Sequence, residues 1–252
     1  ACTVVLLAAV DEETSGMGAR AHVEAGGTAD VGIVGEPTDV RIVHQHNGCV
    51  RGKIEVIGKA AHTSVAAEGI NAIDGMAEVI LALRGVNRDL ALKPGGPAEH
   101  GSLTVSLVSG GAGINIVPER CEIDYDRRTV PGKTSAEALA EIDAALDGVR
   151  GARPDLRIER PDPWFVGDSL DTLPESEIVR IASLASASLG LDATPIRVPY
   201  GSDASKFQAG GIPTIVFGPG SIAKAHAVDE SVPVDDLVAA VAFYREVALR
   251  FG

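Results

Sequence analysis

"NGCVRGKIEVIG", residues 47–58, decides how the chain is organised. Asn47-Gly48 is a turn signal, and after it Val50, Ile54 and Val56 alternate with Arg51, Lys53 and Glu55. That period of two is what a strand with one buried face requires. A helical stretch follows, with Ile70, Ile73, Ile80 and Leu83 placed on one face. Strand patterns return at "SLTVSLVSG" (102–110) and "CEIDYDRRTV" (121–130). A second helix starts at the capping box Thr134-x-x-Glu137 and turns Leu139, Ile142 and Leu146 inward, and "DLRIERPDP" (155–163) supplies a last strand. Strand, helix, strand, strand, helix, strand is the order of a ferredoxin-like α+β unit, predicted here over residues 47–162.

Outside that unit the pattern differs. "ACTVVLLAAV" (1–10) is apolar without alternation, as expected of a strand covered on both faces of a parallel sheet. Such strands seldom begin a domain, so its neighbours come from later in the chain or from an upstream segment. "DVGIVGEPTD" (30–39) holds a second short strand, halted by Gly-Glu-Pro at Glu36. On the far side, a helix with Ile178, Ile181 and Leu184 inward ends near Gly190, and "TPIRVP" (194–199) and "PTIVFG" (213–218) read as buried strands. Leu237, Val241, Tyr244, Val247 and Phe251 line a final amphipathic helix. Residues 1–46 and 163–252 are therefore expected to form one α/β domain, a mostly parallel sheet with helices on both faces, interrupted by the ferredoxin-like insertion.

Composition narrows the function. The 252 residues are 45% hydrophobic and 23% charged, which suits a soluble globular protein. No apolar run is long enough to span a bilayer and no signal-peptide pattern is present, so a cytoplasmic location without membrane attachment is expected. The net charge of −13 repels phosphate backbones, and nucleic acid is not an expected partner. Cys2, Cys49 and Cys121 are far apart and form no CxxC pair, so reduced thiols are expected rather than disulfides or a thiolate zinc site.

The chemistry-bearing residues gather at strand ends. Glu12 and Glu13, in "AVDEETSGMG" (9–18), follow the first apolar run, Glu36 follows the second, and His226 lies in the loop after the strand that ends at Phe217. Each alone is more often a solvated turn or a structural histidine. Oxygen and nitrogen donors at three successive strand ends instead suggest a metal site, because ligands of open α/β sheets collect at the carboxyl edge.

"DEETSGMGA", "VGEPTD", "GKAAHTSVAAEGINAI", "GGAGINIVPERCEIDYDRRTVPG", "YGSDASKFQAGGIPTIVFGPG" and "AHAVDESV" occur in an order that resembles the dinuclear metallopeptidase and deacylase family of acetylornithine deacetylase, succinyl-diaminopimelate desuccinylase, aminoacylase and glutamate carboxypeptidase. The resemblance implies a metal-dependent amidohydrolase acting on N-acyl amino acids or short peptides, with two Zn²⁺ per site and Co²⁺ or Mn²⁺ as substitutes. It implies Glu12 as general base, Glu13 and His226 as ligands of one ion, and Glu36 as a ligand of the other. His62 would reach the active site of the partner subunit of a homodimer and stabilise the oxyanion, and residues 47–162 would be the dimerisation domain. Asn115, Arg128 and Ser202 would bind substrate, although Arg128 shares a strand face with Asp126 and could equally form an ion pair with it. The resemblance also implies that the chain is the C-terminal part of a longer one, since the family's His-x-Asp histidine and bridging aspartate belong to a segment before the Glu-Glu strand. Where several relatives carry Arg after Asp-Ala this chain has Ser205, so a substrate-carboxylate contact is absent or falls to Lys206. A dipeptidase or carboxypeptidase of the same family, or a non-catalytic dimerisation scaffold, are the alternatives.

Overall fold

A computed structural model describes residues 2–225 and 227–251. The chain divides into two compact units, Gly48–Asp168 and the residues that flank it on both sides. The elements run α1 (Met17–Glu24), β1 (Gly32–Val34) and β2 (Val43–His46) in the flanking unit, then β3 (Gly48–Ile57), β4 (Ala61–His62), α2 (Ala72–Ala91), α3 (Pro97–His100), β5 (Ser102–Gly110), β6 (Ile116–Val117), β7 (Arg120–Thr129), α4 (Ser135–Ala152), β8 (Arg157–Glu159) and β9 (Phe165–Gly167) in the central one. The flanking unit resumes with β10 (Leu170–Asp171), α5 (Glu177–Ser188), β11 (Ile196–Val198), α6 (Ala204–Ala209), β12 (Thr214–Val216) and α7 (Val234–Arg250).

The central unit is the ferredoxin-like arrangement. Its sheet runs β5-β7-β3-β8, with β9 also on β3, and every pairing is antiparallel. The period of two buries Ile54 and Val56 of β3 with Ile123 and Tyr125 of β7 on one face. Met76, Val79 and Leu83 of α2 and Ile142 and Leu146 of α4 close over them. Each such apolar side chain contributes roughly 1.5–3 kcal/mol by leaving water. Thr134 and Glu137 form the predicted reciprocal cap, Glu137 N donating to Thr134 Oγ1 at 3.2 Å and Thr134 N donating to the Glu137 carboxylate at 2.8 Å. Two details depart from the periodicity. Ile73 is exposed, because the buried face of α2 is set by Gly75, Met76, Val79 and Leu83. In β5 a bulge between Val105 and Leu107 interrupts the alternation, so Leu103 is buried while Leu107 and Val108 are exposed.

In the flanking unit β12 lies between β1 and β2, with β10 and β11 also on β2. The β1–β12 and β11–β2 pairs are parallel, whereas β12–β2 and β10–β2 are antiparallel. Ile215 packs with α5 and α7, and Val216 with Ala204 of α6. Successive strand residues point to opposite faces, so helices cover both faces of the sheet. Phe217 stacks on Phe243 at 3.6 Å between ring centroids, and that contact fixes the rotation of α7. Ala240, Phe243 and Val247 are therefore inward, and Leu237 and Val241, expected inward, are exposed, as is Leu184 on α5.

Residues 3–10 depart furthest from the pattern of their sequence. They are not a buried strand: they form no regular element, and Val4, Val5, Leu6 and Val10 are exposed. The apolar run supplies the side chains of a buried strand, but among the described residues no strand pairs with it. Among the same residues no helix is long and apolar enough to cross a membrane. None of the three cysteines is in a disulfide among the described residues; Cys49 and Cys121 are buried and Cys2 is exposed.

Candidate active site

The Glu12–Glu13 pair sits in the turn that enters α1. Ser15 N and Gly16 N donate to Asp11 O at 3.1 and 2.6 Å, and Gly18 N donates to Val10 O at 3.0 Å. The Asp11 carboxylate accepts from the Thr14 and Ser15 hydroxyls, and these bonds hold it below its usual range. Asp11 thus closes the turn, leaving Glu12 half-buried and Glu13 exposed. α1 then rests on α6, His22 edge-on to Phe207 at 6.3 Å between centroids.

Glu36 follows β1 in a loop held against the loop after β12. Gly218 N donates to Thr38 Oγ1 at 3.1 Å, Val40 N to Gly218 O at 3.1 Å and Asp39 N to Gly220 O at 2.7 Å. Asp39 and Val40 take φ values of 53° and 50°, a left-handed backbone that a β-branched residue adopts only when its surroundings impose it. The chain continues from Gly220 towards His226, so sequence positions 36 and 220, far apart in the chain, are tied into one loop cluster. His226 itself lies outside the described residues.

Tyr200 completes this cluster, its hydroxyl donating to Pro37 O at 3.3 Å. Burial, with Glu36 and Asp39 adding negative charge, pushes that phenol up to about 12. The surroundings of Glu36 are therefore electronegative, which suits a cation. Even so, no three His, Cys, Asp or Glu side chains among the described residues come together as a metal-binding group. The described residues do not by themselves complete a metal centre.

Ser202 and Lys206 are engaged internally. Ser202 is buried, its Oγ accepting from Ala204 N at 3.2 Å at the start of α6. Lys206 Nζ lies 2.8 Å from Asp203 Oδ1, and Ser205 is buried. Beside them, His46 is 1% exposed; burial, and then the Lys206 charge against the backbone bonds that favour protonation, leaves it at about 4, a neutral imidazole at pH 7. Position in the sequence gave no sign of this polar cluster, because its members come from β2, the loop before α6 and α6 itself.

In the central unit the structure brings His62 and Asn115 together. β4 pairs with β6, His62 opposite Ile116, and Thr63 N donates to Asn115 O at 3.0 Å. Both residues are exposed, and His62 Nδ1 lies 2.8 Å from Ser64 Oγ. Arg128 forms the ion pair the sequence left open: Nε and Nη2 donate to the Asp126 oxygens at 2.7 and 3.1 Å. Asp126 also accepts from Arg51 Nε at 2.9 Å, so one carboxylate serves two guanidinium groups.

Residues 44–151 match the family described as the peptidase dimerisation domain. An acetylornithine deacetylase from Myxococcus xanthus is 30% identical over 98% of this chain and 64% of its own length. A protein named putative succinyl-diaminopimelate desuccinylase from Mycobacterium tuberculosis is 32% identical over 86% of this chain and 58% of its own. A crystal structure of a tripeptidase from Staphylococcus aureus superposes with a TM-score of 0.78 at 22% identity, covering 95% of this chain and 62% of that one, a likeness of fold. The chain spans less than two thirds of the length of the curated relatives it matches. Along nearly its whole length the chain is similar to acetylornithine deacetylases and succinyl-diaminopimelate desuccinylases, and its residues 44–151 match the peptidase dimerisation domain.

Proposed function

We propose that the protein is a metal-dependent amidohydrolase that cleaves N-acyl amino acids, working as a homodimer in the cytoplasm. The observation that carries this reading is the similarity to a deacetylase along nearly the whole of this chain. Two features of the residues agree with it. The Glu12–Glu13 turn presents adjacent carboxylates, and Glu36 lies in an electronegative loop tied to the one that leads to His226.

Glu13, Glu36 and His226 are the residues that would hold zinc, with cobalt or manganese as substitutes, a donor set of carboxylates and imidazole that suits these ions. When bound, the metal supplies an activated water. Glu12 takes the proton of the water as its oxygen adds to the amide carbon. Glu12 then delivers that proton to the nitrogen as the carbon–nitrogen bond breaks, leaving a carboxylate and a free amine. His62 of the partner subunit would donate to the carbonyl oxygen as it becomes negative. Asn115, Ser202 and Arg128 are assigned to substrate binding, Arg128 through the fork it presents to a carboxylate once it leaves Asp126. The domain limits that go with this reading are residues 1–46 and 163–252 for catalysis and 47–162 for dimerisation.

A zinc-, cobalt- and manganese-reconstituted screen of N-acetyl amino acids, N-succinyl amino acids and dipeptides tests the reading. Metal-dependent release of amine from an acetylated or succinylated substrate is expected. Turnover confined to dipeptides would transfer the protein to the peptidases, and a folded, metal-loaded sample inert on all three would leave a dimerisation scaffold.

A further inference from the structure

Gly16, at the end of the Glu12–Glu13 turn, lies close against the start of α6. Its φ of 62° places it in the left-handed region, and a Cβ built on it would collide with Lys206 Nζ and Cε and with Asp203 Oδ1. Only glycine lets the backbone settle there. Beneath it lies an ion pair that is costly for a helix of six residues. The Asp203 side chain is 4% exposed and the Lys206 side chain 19%. Asp203 Oδ2 and the Nε2 of neighbouring His46 are buried with no hydrogen-bond partner. Withdrawing such groups from water offsets most of what the pair gains, so stability alone is a poor reason to keep it. Position is a better one. The turn is also closed by bonds to Asp11 O and to the Asp11 carboxylate.

We propose that the Asp203–Lys206 pair, packed against Gly16, is the positioning element that sets the Glu12–Glu13 turn. It acts through the backbone of the turn. It fixes the height and direction of the backbone that carries both carboxylates, and it keeps Lys206 on Asp203 instead of on a substrate carboxylate. The catalytic part of this inference rests on the assignment of Glu12 and Glu13 above.

The test uses three variants of the chain. Gly16→Ala lifts the turn off the pair without altering a charge. Asp203→Asn combined with Lys206→Gln removes both charges together, so no carboxylate is left buried without its counterion. Lys206→Arg keeps the charge and is the rescue variant. Amide hydrogen exchange of residues 11–18 is the readout independent of activity. About tenfold faster exchange of the Ser15, Gly16 and Gly18 amides is expected in the first two variants, with the 48–168 unit unchanged and Lys206→Arg close to wild type. In the metal-loaded protein the same two variants should lose about tenfold or more in kcat with KM within threefold. Unchanged exchange at 11–18 in the folded charge-removal variant overturns the proposal, whether or not Gly16→Ala speeds exchange. Faster exchange in a protein that turns over no acylated substrate upholds the positioning role and rejects the amidohydrolase instead.

Discussion

Burial shifts the His46 imidazole, and the shift has a definite sign. Its imidazole is depressed from the ordinary 6.5 to about 4 by burial, with Lys206 adding a like charge. The unfolded chain therefore binds a proton between pH 6.5 and pH 4 that the folded chain refuses. Stability from this group is fully present above pH 6.5 and is lost as pH falls towards 4. Between pH 7 and pH 5 the loss should be about 2 kcal/mol. Urea unfolding at the two pH values, compared with His46→Asn, measures it: the difference between wild type and variant should shrink by that amount at pH 5. An equal loss in both proteins would mean that His46 stays hydrated. Burial of this kind was not legible in "VHQH", where His44 and His46 could as well have pointed to solvent. Residues joined by short motifs were more readable. Thr134 and Glu137 cap α4 as their spacing demands, and the Arg128–Asp126 pair is one of the two arrangements that same-face spacing allows.

At the level of elements, the period of two was reliable wherever both neighbours of a strand are present, as in β3 and β7. It failed where the backbone adds a residue. The bulge in β5 turns Leu107 and Val108 outward, and no pattern of residue types announces a bulge. Helix rotation was the other blind spot. α7 is apolar on more than one face, and stacking of Phe243 on Phe217, a contact between elements, chooses among them. Residues 3–10 failed for the opposite reason: the composition of a buried strand needs neighbours that no described residue provides. Among the described residues β5 is an edge strand that pairs with β7 alone, and two exposed apolar side chains beside the bulge give it the character of a joining surface. Two-fold pairing of this edge with a second copy is the expected assembly. Replacing Leu107 and Val108 together by lysine should weaken the dimer by more than tenfold in sedimentation equilibrium, without loss of helical circular dichroism. A wild-type chain that sediments as a monomer at tens of micromolar, or a variant that dimerises as strongly, would place the interface elsewhere.

For the molecule as a whole, the order of elements was legible because each unit repeats one rule: alternation for the antiparallel sheet of the central unit, and short apolar runs between helices for the flanking one. The site was legible only as residue types. Glu12, Glu13 and Glu36 are recognisable by their place at the ends of apolar runs, but what holds them, Gly16 on the Asp203–Lys206 pair and the 36–40 loop on residues 218–220, comes from contacts between distant segments. In the proposed reaction one member of the Glu12–Glu13 pair moves a proton while its neighbour holds the metal. Bound zinc and initial rate on an N-acylated substrate, measured on the same samples of wild type and Glu12→Gln, test it most directly. The expected result is unchanged zinc content with a rate about 10²–10⁴-fold lower. A Glu12→Gln protein that keeps its zinc and works within a few-fold of wild type would contradict the account.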